Sequence, residues 1–195
     1  MRYLFFLLLS LPALSQEPLK YPLLKKTIDS LALIDQKVQQ DFIDSFKTGQ
    51  NKKFEQIKEE TFIRHMPILK QIFHAYGFPT YDLVGKKSSN NYWLCVQHCD
   101  QDLSFQQGIL AAMEPHVKAK QADPRNFAYL TDRVNINSGK PQIYGTQVTY
   151  KDRTAITKYL ADPTHVNQKR LANGLDSLEA YLRMMTSMHR QMNPN

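Results

Sequence analysis

His98 is the residue whose surroundings best suit proton transfer. It lies in the apolar, aromatic stretch YWLCVQHCDQD, near the predicted C-terminal end of a helix. A general acid or base needs an imidazole that a carboxylate orients, and Asp100 and Asp132 are the candidates. Arg133 follows Asp132 and can hold a carboxylate, phosphate or sulfate with two parallel hydrogen bonds. We therefore predict that His98, Asp132 and Arg133 are the catalytic residues of an enzyme, if the protein is one.

A second group of polar residues lies around the segment KPQIYGTQ, in which Gly145 lets a ligand or another backbone approach closely. Polar groups that apolar neighbours draw inward cost free energy unless they are paired, so these residues should form one network. The predicted ligand-binding residues are Gln97, Asp100, Gln142, Tyr144, Thr146 and Gln147. The functional interpretation is a polar cleft. The structural alternative is that the groups satisfy one another, with Arg133 paired to Asp100 or Asp132.

No metal site and no cofactor are expected. His98, Asp100 and Asp132 could supply one imidazole and two carboxylates, but their spacing matches no metal motif. Cys95 and Cys99 are two soft ligands, too few for a zinc site by themselves. They are expected to be small core residues rather than a disulfide, since their spacing on a helix suits a bridge poorly. The sequence contains no GxSxG, P-loop or GxGxxG motif.

The first 15 residues have the features of a secretory signal peptide. Arg2 supplies the positive charge, Leu4 to Leu11 form a short apolar run, and Ala13 and Ser15 are small residues before a cleavage site. The run is well short of the ~20 residues that span a bilayer. We expect cleavage before Gln16, export to the periplasm or the outside of the cell, and a soluble mature protein without a stable membrane span.

The formal net charge is +7, which would be compatible with binding to nucleic acid or to an anionic surface. The lysines are scattered, however, and no basic run is interleaved with aromatic residues. Nucleic acid is therefore not an expected partner. The expected partner is a small polar or anionic ligand.

Hydrophobic spacing predicts helices over most of the chain. Residues 16–22 read as a linker with two prolines, and residues 23–76 as N-terminal helices with a break or kink at Pro67. His65 and His74 should be surface or packing residues of these helices.

Residues 77–192 read as a helical core that carries the motifs. Ser88 or Ser89 should cap the first helix of the core, and later caps should be Asp102 or Ser104 and then Asp123. A helix should open at Asp162 and Pro163. The alternating period near 142–159 predicts a small β-hairpin. The fold class is thus mainly α, or α+β with one small late hairpin, in a single compact multi-helix domain.

The order of motifs GFP, LVG, WLCVQHCDQD, AYLTDRV, PQIYGTQ and HVNQKR resembles a bacterial family of uncharacterised proteins. The family pattern is roughly GWP, VG, W-x-x-VQHAD, YLxDRV and QxYGTQ, and it covers Gly77 to Tyr181. Phe78 stands where the family usually has Trp, and Cys99 where Ala is common. The resemblance implies a shared site or scaffold, without an activity, built from Gln97, His98, Asp100, Gln106, Asp132, Arg133, Gln142, Tyr144, Gly145, Thr146, Gln147 and Arg170.

Three functions follow as hypotheses. The first is an exported protein whose polar cleft binds a small polar or anionic ligand. The second is a hydrolase or lyase with His98 as general acid or base, Asp132 as its orienting group, and Arg133 or Gln147 as the anion stabiliser; a glycosidase-like carboxylate pair is one form of it. The third is a structural or interaction module whose polar network serves only the fold.

Overall fold

The computed structural model describes residues 20–192. The predicted signal peptide, 1–15, and most of the predicted linker lie outside the described residues.

Eight α-helices and one two-stranded antiparallel sheet make up the described part of the chain, so the prediction of a mainly helical fold with one small late hairpin is confirmed. The helices are α1 (Pro22–Ser45), α2 (Asn51–Tyr76), α3 (Tyr81–Val84), α4 (Lys86–Gln97), α5 (Leu103–Lys118), α6 (Pro124–Asn137), α7 (Val166–Ala172) and α8 (Leu178–Met192). The strands are β1 (Val148–Lys151) and β2 (Thr154–Thr157). A short 3-10 turn separates α1 from α2.

The core lies where α1, α2, α4, α5 and α6 meet, within a single compact domain. Helix α1 turns Ile28, Leu31 and Ala32 inward at helical spacing, and burial of this apolar face stabilises the helix. Cys95 and Cys99 of the α4 region are both buried and unbridged, as expected of small core residues. None of the helices in the described ranges combines the length and apolarity needed to cross a membrane.

Helix α2 does not break at Pro67. It runs without interruption from Asn51 to Tyr76. Proline removes the hydrogen bond to the carbonyl of Ile63, but both residues lie on the exposed face, where water can reach that carbonyl. Leu69 and Ile72 continue the buried face beyond the proline, so packing holds both halves in one helix.

Two predicted helix starts were misplaced. Helix α4 begins at Lys86 after Gly85, so Ser88 and Ser89 are buried inside the helix and do not cap it. Helix α7 begins at Val166 and not at Asp162. Asp102 and Asp123, by contrast, accept hydrogen bonds from the first turns of α5 and α6 as predicted.

The hairpin is shorter than the alternating pattern indicates. Strands β1 and β2 pair in register from Val148 with Thr157 to Lys151 with Thr154. Residues 142–147 do not extend β1, although Gln142 forms an isolated bridge with Leu160. Their backbone groups make other hydrogen bonds, which define the first part of the candidate site.

Candidate functional site

Asp132 of α6 anchors the loop that follows the helix. Its carboxylate is fully buried and accepts hydrogen bonds from the backbone nitrogens of Ile143 (2.7 Å), Tyr144 (3.0 Å) and Thr146 (2.8 Å), and from the Thr146 hydroxyl (3.0 Å). A buried carboxylate needs such donors, because an unpaired charge in the interior is costly. We call this arrangement, Asp132 with residues 142–147, the Asp132 clamp.

The Gln142 side chain connects the two ends of the same loop through hydrogen bonds. Its side-chain amide donates to the Gln147 carbonyl at 2.9 Å, and its side-chain oxygen accepts from the Gln147 nitrogen at 2.7 Å. The Gln147 amide in turn donates to the Thr146 hydroxyl at 3.3 Å. The predicted ligand-binding residues of this segment therefore bond mainly to one another and to Asp132.

Asp100 and Arg133 form the second part of the predicted site. Arg133 donates to both carboxylate oxygens of Asp100 at 2.9 Å, which is the bidentate geometry of a strong pair. Asn137 donates to the same carboxylate at 2.9 Å and Gln106 at 3.2 Å. Burial raises the pKa of Asp100, but the hydrogen bonds and charge of Arg133 outweigh burial and leave that pKa below its ordinary value.

Gln106 and Gln97 connect this pair to α4. The fully buried Gln106 amide donates to the carbonyls of Val96 and Gln97, both at 3.2 Å, as well as to Asp100. Gln97 is itself buried at the last position of α4. These contacts tie the C-terminal end of α4 to α5 and α6.

His98 pairs with neither predicted carboxylate, and its partner is Asp35 of α1. The imidazole Nδ1 lies 2.8 Å from Asp35 Oδ2, and Nε2 lies 3.2 Å from the side-chain nitrogen of Gln39. The ring stacks on Phe62 with 4.4 Å between ring centroids. With Nδ1 donating to Asp35, the Nε2 lone pair accepts from the Gln39 amide. A substrate would have to displace that amide before Nε2 could act as a general base.

Sequence reasoning missed Asp35, which is 1% exposed. The available signal was its spacing, because Ile28, Leu31 and Asp35 fall three or four residues apart on the buried face of α1. An acid in that position has to find a partner inside the protein.

Three possible metal ligands lie together beside His98. One ligand atom each of Asp35, His65 and Cys95 lies within 4.8 Å of the other two, and all three residues are buried. His65 is buried on α2, which agrees with the packing alternative of its prediction and not with the surface one.

A cavity of about 380 Å³ opens between α4, α6, α7 and α8. Its lining is Asn90, Asp123, Arg125, Asn126, Tyr129, Arg170, Gly174, Leu175, Asp176, Tyr181 and Met184. None of the nine predicted site residues lines it. Arg170, which the family resemblance includes, is the most deeply buried charge on its wall, with 1% of its surface exposed.

The Arg170 guanidinium is held by carbonyl groups. Its Nε donates to the Asp176 carbonyl at 2.6 Å and one terminal nitrogen donates to the Tyr144 carbonyl at 2.7 Å. The guanidinium carbon lies 5.0 Å from the ring centroid of Tyr181. Across residues 20–192 no carboxylate comes within ion-pair distance of Arg170, and burial lowers its pKa against weaker opposing effects of nearby tyrosines and carboxylates.

The predicted residues thus separate into three groups, and no side-chain hydrogen bond within residues 20–192 joins them. One group is the Asp132 clamp, one is Asp100 with Arg133, and one is His98 with Asp35. The cavity beside Arg170 is a fourth feature that the sequence analysis did not locate.

Comparison with known proteins gives a family match. A family model described as "Family of unknown function (DUF6624)" matches residues 22–190, in agreement with the predicted resemblance to an uncharacterised family. No curated protein and no solved structure gives a significant match.

Proposed function

The chain belongs to the family of unknown function DUF6624, and from its own geometry we propose that it binds a small anionic molecule in the cavity beside Arg170. The observation that carries the proposal is the charge of Arg170. This guanidinium is buried on the cavity wall, and carbonyl oxygens are its hydrogen-bond acceptors.

A buried cation with no carboxylate in direct contact is energetically unfavourable. Desolvation costs several kcal/mol per ion, and neutral carbonyl acceptors offset only part of that cost. A ligand carboxylate or phosphate in the cavity would place a further negative charge close to the guanidinium and could accept a hydrogen bond from a terminal nitrogen. The unliganded protein would then carry a cost that the ligand relieves.

The rest of the wall suits a small polar molecule. A volume of about 380 Å³ is within the range of small-molecule sites. Tyr129 and Tyr181 supply aromatic surface, and Asn126 donates to Asn90 at 3.0 Å, which places two amide groups on the wall. The carboxylates of Asp123 and Asp176 would oppose a highly charged anion. The expected ligand therefore carries one anionic group and a polar remainder.

The proposal includes the export that the sequence predicts for the chain. The signal-peptide features of residues 1–15 support a location in the periplasm or outside the cell, where the ligand would be met.

Thermal unfolding in the presence of small carboxylates, phosphates and sulfates tests the proposal. We expect at least one anion to raise the unfolding temperature in a concentration-dependent way, since a ligand that binds only the native state stabilises it. Asn126→Asp adds a negative charge to the wall at constant size and should weaken binding by at least about tenfold, or about 1.4 kcal/mol.

Arg183→Gln is the matched control, because it removes a charge from the exposed face of α8 outside the cavity. It should leave anion affinity unchanged. Equal binding by Asn126→Asp and the parent chain would contradict the proposal, as would the absence of any stabilising anion at millimolar concentration.

A second candidate function is acid–base catalysis by His98. The orienting group would be Asp35, 2.8 Å away, in place of the predicted Asp132. A panel of model esters and phosphoesters would test it. Any turnover should fall by about 100-fold in His98→Gln and comparably in Asp35→Asn, while the exposed His74→Gln should behave as the parent. Full activity in His98→Gln would rule the candidate out.

A further inference from the structure

We propose that Asp35, His65 and Cys95 form a binding site for a divalent metal ion, with Zn²⁺ as the expected ion. The three residues come from α1, α2 and α4, and one ligand atom of each lies within 4.8 Å of the other two. Imidazole nitrogen, thiolate sulfur and carboxylate oxygen are the ligand types that zinc takes in proteins. This site is independent of the anion cavity.

His65 supplies a separate reason to expect a ligand there. It is 7% exposed, and its Nδ1 is buried without a hydrogen-bond partner in the part of the chain that is described. Buried polar atoms nearly always have a partner, so an orphaned nitrogen on an imidazole that lies in a cluster with a thiol and a carboxylate calls for an explanation. A metal ion at this position would accept the nitrogen lone pair and so give His65 Nδ1 a partner.

The charges of the site also balance. An aspartate and a cysteine thiolate carry two negative charges, which neutralise a divalent cation, and His65 would bind as neutral imidazole. The metal-bound centre would therefore be uncharged, as burial of this depth requires. On binding, the metal–sulfur bond replaces the S–H bond of Cys95 and the proton leaves to solvent, with no change of oxidation state.

Neighbouring residues hold the carboxylate in place. His98 Nδ1 contacts Asp35 Oδ2 at 2.8 Å, and the Gln36 amide donates to Asp35 Oδ1 at 3.0 Å. Each carboxylate oxygen keeps a further lone pair for a metal. Hydrogen bonds of this kind orient the ligands of metal sites.

Cys99 is not part of the set. Its thiol donates to the Cys95 carbonyl at 3.6 Å, one helical turn further along the chain. Three protein ligands leave one position of a tetrahedral zinc ion open for water or a substrate atom, which is the composition of catalytic rather than structural zinc sites.

Co²⁺ titration of the reduced chain without an affinity tag tests this proposal. We expect one equivalent to bind and to give a thiolate-to-cobalt charge-transfer band together with the strong visible bands of tetrahedral coordination. Cys95→Ser should abolish the charge-transfer band, and His65→Gln should weaken binding by at least tenfold. Cys99→Ser is the matched control and should keep the band, because it also replaces a buried thiol of the same region.

Absence of stoichiometric binding by the parent chain would overturn the proposal, as would a band that survives Cys95→Ser or disappears only in Cys99→Ser. Should Cys95→Ser fail to fold by circular dichroism, X-ray absorption of the Zn²⁺-loaded parent chain decides instead. One sulfur in the first coordination shell supports the site, and a shell of nitrogen and oxygen alone overturns it.

Discussion

Asp35 and His98 are 63 positions apart in sequence and 2.8 Å apart in the structure, with a carboxylate that is 1% exposed facing the imidazole Nδ1. The pair joins α1 to the end of α4, beside the metal-ligand cluster of Asp35, His65 and Cys95. A carboxylate buried to this extent depends on its hydrogen-bonding partner, so His98 has a structural role whatever chemistry it performs.

Replacement of His98 by Ala should destabilise the protein strongly. The change leaves the Asp35 carboxylate buried without its main partner, and breaking a buried pair in this way costs about 3 kcal/mol. Urea unfolding in the presence of a chelator measures the effect in the metal-free chain. The exposed His74→Ala is the control and should change the free energy of unfolding by less than about 0.5 kcal/mol. A His98→Ala variant as stable as the parent would show that Asp35 finds other partners.

Asp132→Asn should loosen the Asp132 clamp. Asparagine keeps the size of aspartate but has one acceptor oxygen, whereas the carboxylate accepts from four donors of the loop, one of which, the Tyr144 nitrogen, is shared between both oxygens. Loss of charge-assisted hydrogen bonds to buried donors should cost about 3 kcal/mol. Amide hydrogen exchange should report faster opening of residues 143–146. Asp152→Asn in the exposed hairpin turn should leave both stability and exchange nearly unchanged, and equal exchange rates in the two variants would contradict the structural role of Asp132.

The fold class and several helix starts could be predicted because the signals are local. Apolar residues repeat every three or four positions along α1 and α6, and the caps at Asp102 and Asp123 depend only on the next few residues. The start of α4 was misplaced because two serines look like caps, while Gly85 takes that position and packing buries the serines.

Side-chain partners could be predicted only in part. The sequence allowed Arg133 to pair with Asp100 or Asp132, and the structure selects Asp100 because the clamp already saturates Asp132. The partner of His98 depends on how α1 packs against α4, which periodicity alone does not determine. The cavity beside Arg170 depends likewise on the packing of four helices.

The ion pair of Asp100 and Arg133 should make stability depend on pH in the acid range. Interaction with Arg133 overcomes the effect of burial and lowers the pKa of Asp100 below its ordinary value of 3.8. The folded state therefore binds the proton less readily than the unfolded state. The contribution of the ion pair to folding stability is complete above the unfolded-state pKa of Asp100, and it is lost as the pH falls through the lower folded-state pKa. Urea unfolding at pH values between about 6 and 2 measures this loss as a decrease in the free energy of unfolding.

Arg133→Gln should reduce stability at neutral pH by about 0.5–1 kcal/mol, since the pair is partly solvent-exposed. The loss of stability in acid should also be shallower in the variant, because Asp100 then has a pKa nearer to that of the unfolded chain. Parallel pH profiles for the variant and the parent would show that Asp100 does not contribute.

Gly145→Ala should destabilise the loop of the Asp132 clamp for two separable reasons. Gly145 has a φ of +69°, a conformation that L-residues adopt at a cost of about 1–2 kcal/mol. A Cβ atom there would also lie 3.0 Å from Leu178 Cδ1 and 3.2 Å from Thr157 Cγ2, so these side chains of α8 and β2 would have to move by a few tenths of an ångström. Gly139→Ala is the matched control, because Gly139 has a φ of +72° and a Cβ would meet nothing within 4 Å.

Urea unfolding of both variants should show a loss of about 1–2 kcal/mol for Gly139→Ala from the backbone alone and a larger loss for Gly145→Ala. The difference measures how closely the clamp packs against α8, and equal losses would mean that the neighbouring side chains move aside without cost.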